Sequence, residues 1–318
     1  MQGEGPNQSY ILVYPHVTVM LLYISRMSKR ERGKMAAYVF PGQGSQVKGM
    51  GRELFAQFPD LTSRANAILG YSLETLCLED PQQHLSQTQY TQPALYTINA
   101  LSYFNKLQAT KQKPTHVAGH SLGEYNALLA AEVFDFETGL KLVKKRGELM
   151  SQATGGGMAA VIGLKADVLE TLLIEQNLTS IVIANKNSHT QLVISGQQTD
   201  IDQARVLCER AGAMTTIPLK VSAAFHSPYM RPFQQQFSSF LNEFQFVPPN
   251  LPVIANNTVK PYPPTENEIK KNLAEQITSP VRWTESIEYL LQKGETEFVE
   301  IGPGTVLTML IRRIKNGQ

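Results

Sequence analysis

Thr115-His116-Val117-Ala118-Gly119-His120-Ser121-Leu122-Gly123-Glu124-Tyr125-Asn126-Ala127-Leu128-Leu129-Ala130-Ala131-Glu132 is the stretch that decides the fold. Its first five residues read as a short strand, and Ser121–Glu132 reads as an amphipathic helix. Between them Gly119-His120-Ser121-Leu122-Gly123 matches G-x-S-x-G. Glycines there let the chain turn sharply, so a serine can project from the strand–helix junction. The Leu122 N–H then lies at the helix N-terminus, suitable for an oxyanion. The bare pattern also fits an ordinary tight turn with a capping serine. Its place between a strand and a helix favours the nucleophile.

Working outward, the same alternation recurs. Upstream, Ala36–Phe40 reads as a strand entering the glycine-rich turn Pro41-Gly42-Gln43-Gly44-Ser45-Gln46. Amphipathic stretches follow near 50–70 and 92–110, and a helix runs from about Glu137 to Met150. After Gly155-Gly156-Gly157 the pattern changes. Strands are expected at Met158–Leu164, Ile181–Asn185, Gln191–Ser195 and Met214–Val221, with helices at Ala166–Gln176 and Ile201–Ala211. Asp167 and Glu170 are spaced as a helix-start pair. The order βαββαβ is ferredoxin-like. The fold expected is α/β: a large domain over 35–156 and 223–318, with a ferredoxin-like subdomain inserted at 157–222. Val253–Ala255 and Glu297–Ile301 complete the strands, with helices near 266–276, at Thr284–Lys293 and at the C-terminus.

Composition sets wide bounds. The chain has 318 residues, 42% hydrophobic and 18% charged, ordinary for a globular protein. Residues 1–34 hold five Lys/Arg against two acids, and the body beyond them is near neutral, which argues against a nucleic-acid binder. Tyr10–Ile24 is apolar, but Pro15 and His16 interrupt it and it is short for a membrane span. We expect 1–34 to be an extension outside the fold, with no membrane role. Cys77 and Cys208 form no metal-like cluster, and such sparse cysteine use fits a reducing, cytoplasmic setting. No metal is expected.

A serine nucleophile needs a base. Of six histidines, His226 leads, because small and apolar neighbours in Ser222-Ala223-Ala224-Phe225-His226-Ser227 suit a site wall. A satisfied structural histidine is the competing reading. No aspartate follows His226, and Asp135, Asp167, Asp200 and Asp202 all look like helix-start residues. A Ser–His dyad is therefore favoured over a triad, with a glutamate partner left open. Arg146 is the sharper clue. At 100° per residue it falls in the middle of the face made by Leu142, Val143, Leu149 and Met150, while Lys141, Lys144, Lys145 and Glu148 point away. A guanidinium directed inward needs an anion or several acceptors. It is either half of a structural ion pair or a fork for a substrate carboxylate.

Together these motifs resemble a malonyl-CoA:acyl-carrier-protein transacylase over residues 36–316. They run Phe40–Gln46, Thr91–Ala94, Gly119–Tyr125, Lys145–Gly147, Ala224–Ser227, Pro280–Trp283 and Glu300–Gly304. The finer resemblance is to free-standing acyltransferases that serve polyketide synthases. It implies a hydrolase-like large domain with a ferredoxin-like subdomain. It assigns Ser121 as nucleophile, His226 as base and Arg146 to the malonyl carboxylate. Gln43 and the Leu122 N–H are assigned to the oxyanion, and the Gln276 backbone carbonyl to orienting the histidine. Gln92, His120, Asn187 and Phe225 would line the site, Phe225 crowding an α-methyl branch. No cofactor is implied. Malonyl-CoA is the substrate, and the partner is an acyl carrier protein that brings its own phosphopantetheine. A monomer is expected. The rival readings are an acyl hydrolase that edits carrier-bound chains and a non-catalytic docking protein. Lys141, Lys144, Lys145, Arg312 and Arg313 could face an acidic carrier or simply be solvated.

Overall fold

A computed structural model describes residues 36–221 and 223–318. The expected extension at 1–34, and the boundary positions Met35 and Ser222, lie outside the described residues. The strands are β1 Ala37–Phe40, β2 His116–Gly119, β3 Gly156–Ile162, β4 Val182–Ser188, β5 Gln191–Gln197, β6 Thr215–Pro218, β7 Val253–Ile254 and β8 Phe298–Glu300. The helices are α1 Arg52–Gln57, α2 Pro59–Leu69, α3 Leu73–Leu78, α4 Thr88–Thr110, α5 Gly123–Ala130, α6 Phe136–Ser151, α7 Ala166–Glu175, α8 Gln198–Arg210, α9 Arg231–Leu241, α10 Glu266–Gln276, α11 Trp283–Gln292 and α12 Val306–Lys315.

Four strands form a parallel sheet in the order β7-β2-β1-β8. Such sheets are covered on both faces, so their strands are apolar throughout. β1 obeys this: all four of its residues are buried. Because side chains alternate, Tyr38 and Phe40 join the core beneath α4, α5 and α6, whereas Ala37 and Val39 join the core with α11 and α12.

The other sheet is antiparallel in the order β4-β5-β3-β6, and α7 and α8 supply its core through Leu169, Leu173, Ile201 and Ala204. Its βαββαβ connectivity in that strand order is ferredoxin-like. β4 also touches the parallel-sheet part: Val281 N–H donates to Ala184 O at 2.8 Å, and Lys186 N–H to Val281 O at 2.9 Å. This brings β4 beside the chain between α10 and α11.

Several local expectations change, among them the following. Asp167 is not a helix cap: Lys165 holds that position without a side-chain bond, and Asp167 accepts the Val168 N–H from inside the first turn. The strand expected over 214–221 ends at Pro218, a residue without an N–H to continue a ladder. α4 begins at Thr88, ahead of the expected start, and runs through Pro93.

Candidate active site

The ends of β1 and β2 and the start of α5 meet so closely that side chains cannot fit. A Cβ on Gly119 would lie 1.9 Å from the Gly123 carbonyl carbon, and one on Gly123 would lie 2.0 Å from Phe40 O. The sharp turn itself falls on Ser121, whose φ is +50°. The glycines thus permit close approach, while the serine adopts the left-handed conformation. A non-glycine residue there is strained and persists only if its surroundings hold it. They do: Ser121 N–H donates to Asn256 Oδ1 at 2.7 Å, and Ser121 O accepts Gln276 Nε2 at 2.9 Å.

Ser121 Oγ lies 2.8 Å from His226 Nε2. The other ring nitrogen, Nδ1, faces the carbonyl oxygens of Gln276 at 3.1 Å and Ser279 at 3.0 Å. Carbonyls only accept, so Nδ1 carries the proton and Nε2 is free to accept from the serine hydroxyl. Burial, reinforced by the positive charge of Arg146, pushes the His226 pKa down to about 3. The ring is therefore neutral near pH 7, as a general base must be. Among the described residues no carboxylate orients it.

Arg146 projects from α6 and is 1% exposed. Its NH1 donates to Gln92 Oε1 at 2.7 Å, and its NH2 to Ser121 Oγ at 3.0 Å and Gln276 Oε1 at 3.1 Å. Among the described residues it forms no ion pair, and its Nε has no acceptor. Burial lowers its pKa against the opposing effects of Tyr125 and Glu124, and its direct hydrogen-bond partners are neutral amides and a hydroxyl. A desolvated guanidinium held by neutral groups is prepared for an incoming anion.

The remaining expected residues are placed as follows. Leu122 is buried and directly precedes α5, where first-turn N–H groups lack intrahelical acceptors. Gln43 is half-buried, and its amide donates to Thr88 Oγ1 at 3.3 Å. Gln92 Nε2 donates to Met150 Sδ at 3.3 Å. His120 turns toward β4, its Nε2 2.8 Å from Asn187 Oδ1, and burial lowers its pKa. Phe225 is buried in the main core. Lys144 is half-buried, and its Nζ donates to Ile68 O at 2.9 Å. Lys145 lies over the Phe240 ring, and Arg313 bonds Gln191.

Sequence reasoning missed Glu124, Asn256, Tyr262 and Ser279. Glu124 is wholly buried, and burial pushes its pKa up to about 7 against the opposing effects of Tyr262, Asn256, Gln276 and Arg146. An acid in the first turn of the helix directly after the G-x-S-x-G turn was the available signal. Among the described residues no three His, Cys, Asp or Glu side chains are grouped to hold a metal, and no helix is long and apolar enough to cross a membrane. A cleft of about 420 Å³ lined by Val47, Met50, Leu54, Ile98 and Pro303 contains none of the site residues.

The acyl transferase domain family matches residues 37–316. The chain is 55% identical over 282 residues to the polyketide biosynthesis malonyl CoA-acyl carrier protein transacylase PksC of Bacillus subtilis, covering 88% of this chain and 97% of that protein. It is 54% identical over 283 residues to the transacylase of the same description, BaeC, of Bacillus velezensis, covering 89% and 97%. A solved malonyl CoA-acyl carrier protein transacylase from Burkholderia pseudomallei superposes with a TM-score of 0.86 at 49% identity, covering 89% of this chain and 99% of the other.

Proposed function

The chain belongs to the acyl transferase domain family, and from that premise we propose that it moves malonyl from malonyl-CoA to the phosphopantetheine thiol of an acyl carrier protein, in polyketide biosynthesis. It is a malonyl-CoA:acyl-carrier-protein S-malonyltransferase. The observation that carries this reading is Arg146: a buried guanidinium without an ion-pair partner among the described residues, 3.0 Å from Ser121 Oγ. A neutral acyl group has no use for it.

In this reading His226 Nε2 removes the Ser121 proton as Oγ attacks the malonyl thioester carbonyl. The Leu122 N–H stabilises the oxyanion, joined by the Gln43 amide once it leaves Thr88. Collapse breaks the C–S bond, and the leaving thiolate takes the proton from His226. Malonyl-Ser121 remains, its carboxylate on Arg146. The carrier thiol then loses its proton to His226 and attacks the ester, and the same proton returns to Oγ as it leaves. The Gln276 and Ser279 carbonyls keep His226 in the tautomer both halves require. Gln92 and Gln276 keep the guanidinium aimed, with His120, Asn187 and Phe225 lining the site. The finer proposal is a cytoplasmic monomer with no bound cofactor, divided into 35–156 plus 223–318 and 157–222.

Incubation with malonyl-CoA, with and without holo carrier protein, tests the reading. Malonyl-carrier formation by mass spectrometry is the expected result. Rapid release of free malonate would favour the hydrolase, and absence of both would leave a docking protein.

A further inference from the structure

Glu124 sits in the first turn of α5, wholly buried, and the transfer steps leave it without a task. Its carboxylate reaches the segment that follows β7. Oε2 accepts the Asn256 backbone N–H at 2.7 Å, and Oε1 accepts the Tyr262 hydroxyl. Asn256 then grips the turn on both sides. Its Oδ1 accepts the Ser121 N–H at 2.7 Å, and its Nδ2 donates to Gly119 O at 2.6 Å. The residue gripped is the one held at φ +50°.

A carboxylate suits this place. It accepts two donors at once, and both the Asn256 N–H and the Tyr262 O–H point at it. An amide has one acceptor oxygen and would turn N–H donors on one of them. The start of a helix also favours negative charge. The ionisable groups around Glu124 are Arg146 of α6, Tyr125 of α5 and Tyr262. Burial pushes both tyrosine hydroxyls far up, so they remain neutral donors.

Resting on the acyl-transfer reading, we propose that Glu124 is a positioning residue: through Asn256 it holds Ser121 in the conformation that aims Oγ at His226 Nε2. The contribution is geometric. A misplacement of about 1 Å in such a site costs on the order of 100-fold in rate.

The test is a double-mutant cycle on E124Q and N256A. The readouts are the rate of Ser121 sulfonylation by phenylmethylsulfonyl fluoride and, in parallel, acylation by malonyl-CoA, both followed by intact mass. Each single variant should slow both reactions by roughly 10- to 100-fold, with KM for malonyl-CoA nearly unchanged. In the N256A background E124Q should add nothing, because the route to Ser121 is already cut. E124D, which keeps two acceptor oxygens, should recover part of the rate. Fully additive losses, or a wild-type rate in E124Q, would overturn the proposal. N256A keeps the Glu124–backbone bond, so a wild-type rate in that variant also overturns it even if E124Q fails to fold. Sulfonylation reports the turn without malonyl-CoA. A wild-type enzyme that is sulfonylated but not malonylated therefore counts against the transfer reading alone.

Discussion

A histidine meets a polar partner at each end of β2, with opposite consequences. At the N-terminal end His116 Nδ1 lies 2.6 Å from Glu295 Oε1, and the Thr115 hydroxyl donates to the same oxygen. At the C-terminal end His226 has only carbonyl oxygens at Nδ1, and it faces a serine hydroxyl. A search for a histidine oriented by an acid would choose the N-terminal end. Here the carboxylate marks a satisfied pin between β2 and the segment leading into β8. The other end combines a neutral ring, a serine in the left-handed region and a guanidinium without an ion pair among the described residues. Chemistry belongs at the carboxyl ends of parallel strands, where loops and helix starts converge.

Substitutions at either end can break this comparison. The largest effect is expected from Ser121→Ala, which should abolish the malonyl adduct seen by intact mass and lower transfer by about 10⁴-fold or more. An adduct that persists would move the nucleophile elsewhere. Arg146→Ala comes next. Removing one partner of a buried ionic pair costs about 3–5 kcal/mol, so kcat/KM for malonyl-CoA should fall far more than for acetyl-CoA. Equal losses would deprive Arg146 of its carboxylate role.

At the opposite end of β2, Glu295→Gln should leave transfer at the wild-type rate while lowering stability by about 1–3 kcal/mol in urea titrations, the usual cost of an imperfectly satisfied buried polar group. Lost activity with unchanged stability would erase the distinction between the ends. The smallest effect concerns pH. The Glu124 pKa is raised on folding from 4.5 to about 7. The folded state therefore binds the extra proton, and this contribution to stability is complete below about pH 4.5 and lost as pH rises through 7. Wild-type urea midpoints should thus fall between about pH 5 and pH 8 more than those of E124Q. Parallel slopes would show that Glu124 does not titrate there.

Legibility followed the range of each signal. Arg146 was readable because helical periodicity is local, and the burial of Leu142, Val143, Leu149 and Met150 around it follows the 100° projection. The βαββαβ order was readable for the same reason. Ser279 and Asn256 were not, since their contributions come from a backbone carbonyl and a side-chain amide on irregular segments without periodicity. The turn was misjudged in one respect. Its glycines serve close packing of β1, β2 and α5, and the positive φ belongs to Ser121.

By itself the sequence determined the strand–turn–helix unit, the inward face of α6 and the absence of an aspartate after His226, all properties of neighbouring residues. The neighbours of His226 and the family resemblance pointed to it, while the tertiary structure supplied the contact itself, closing 105 positions of chain to 2.8 Å at Ser121. Only the tertiary structure decided that the Ser279 carbonyl joins that of Gln276 at the histidine, and that a buried glutamate and an asparagine brace the serine. Those contacts depend on β7 lying beside β2 and on α10 ending above the turn, long-range pairings that no local pattern encodes.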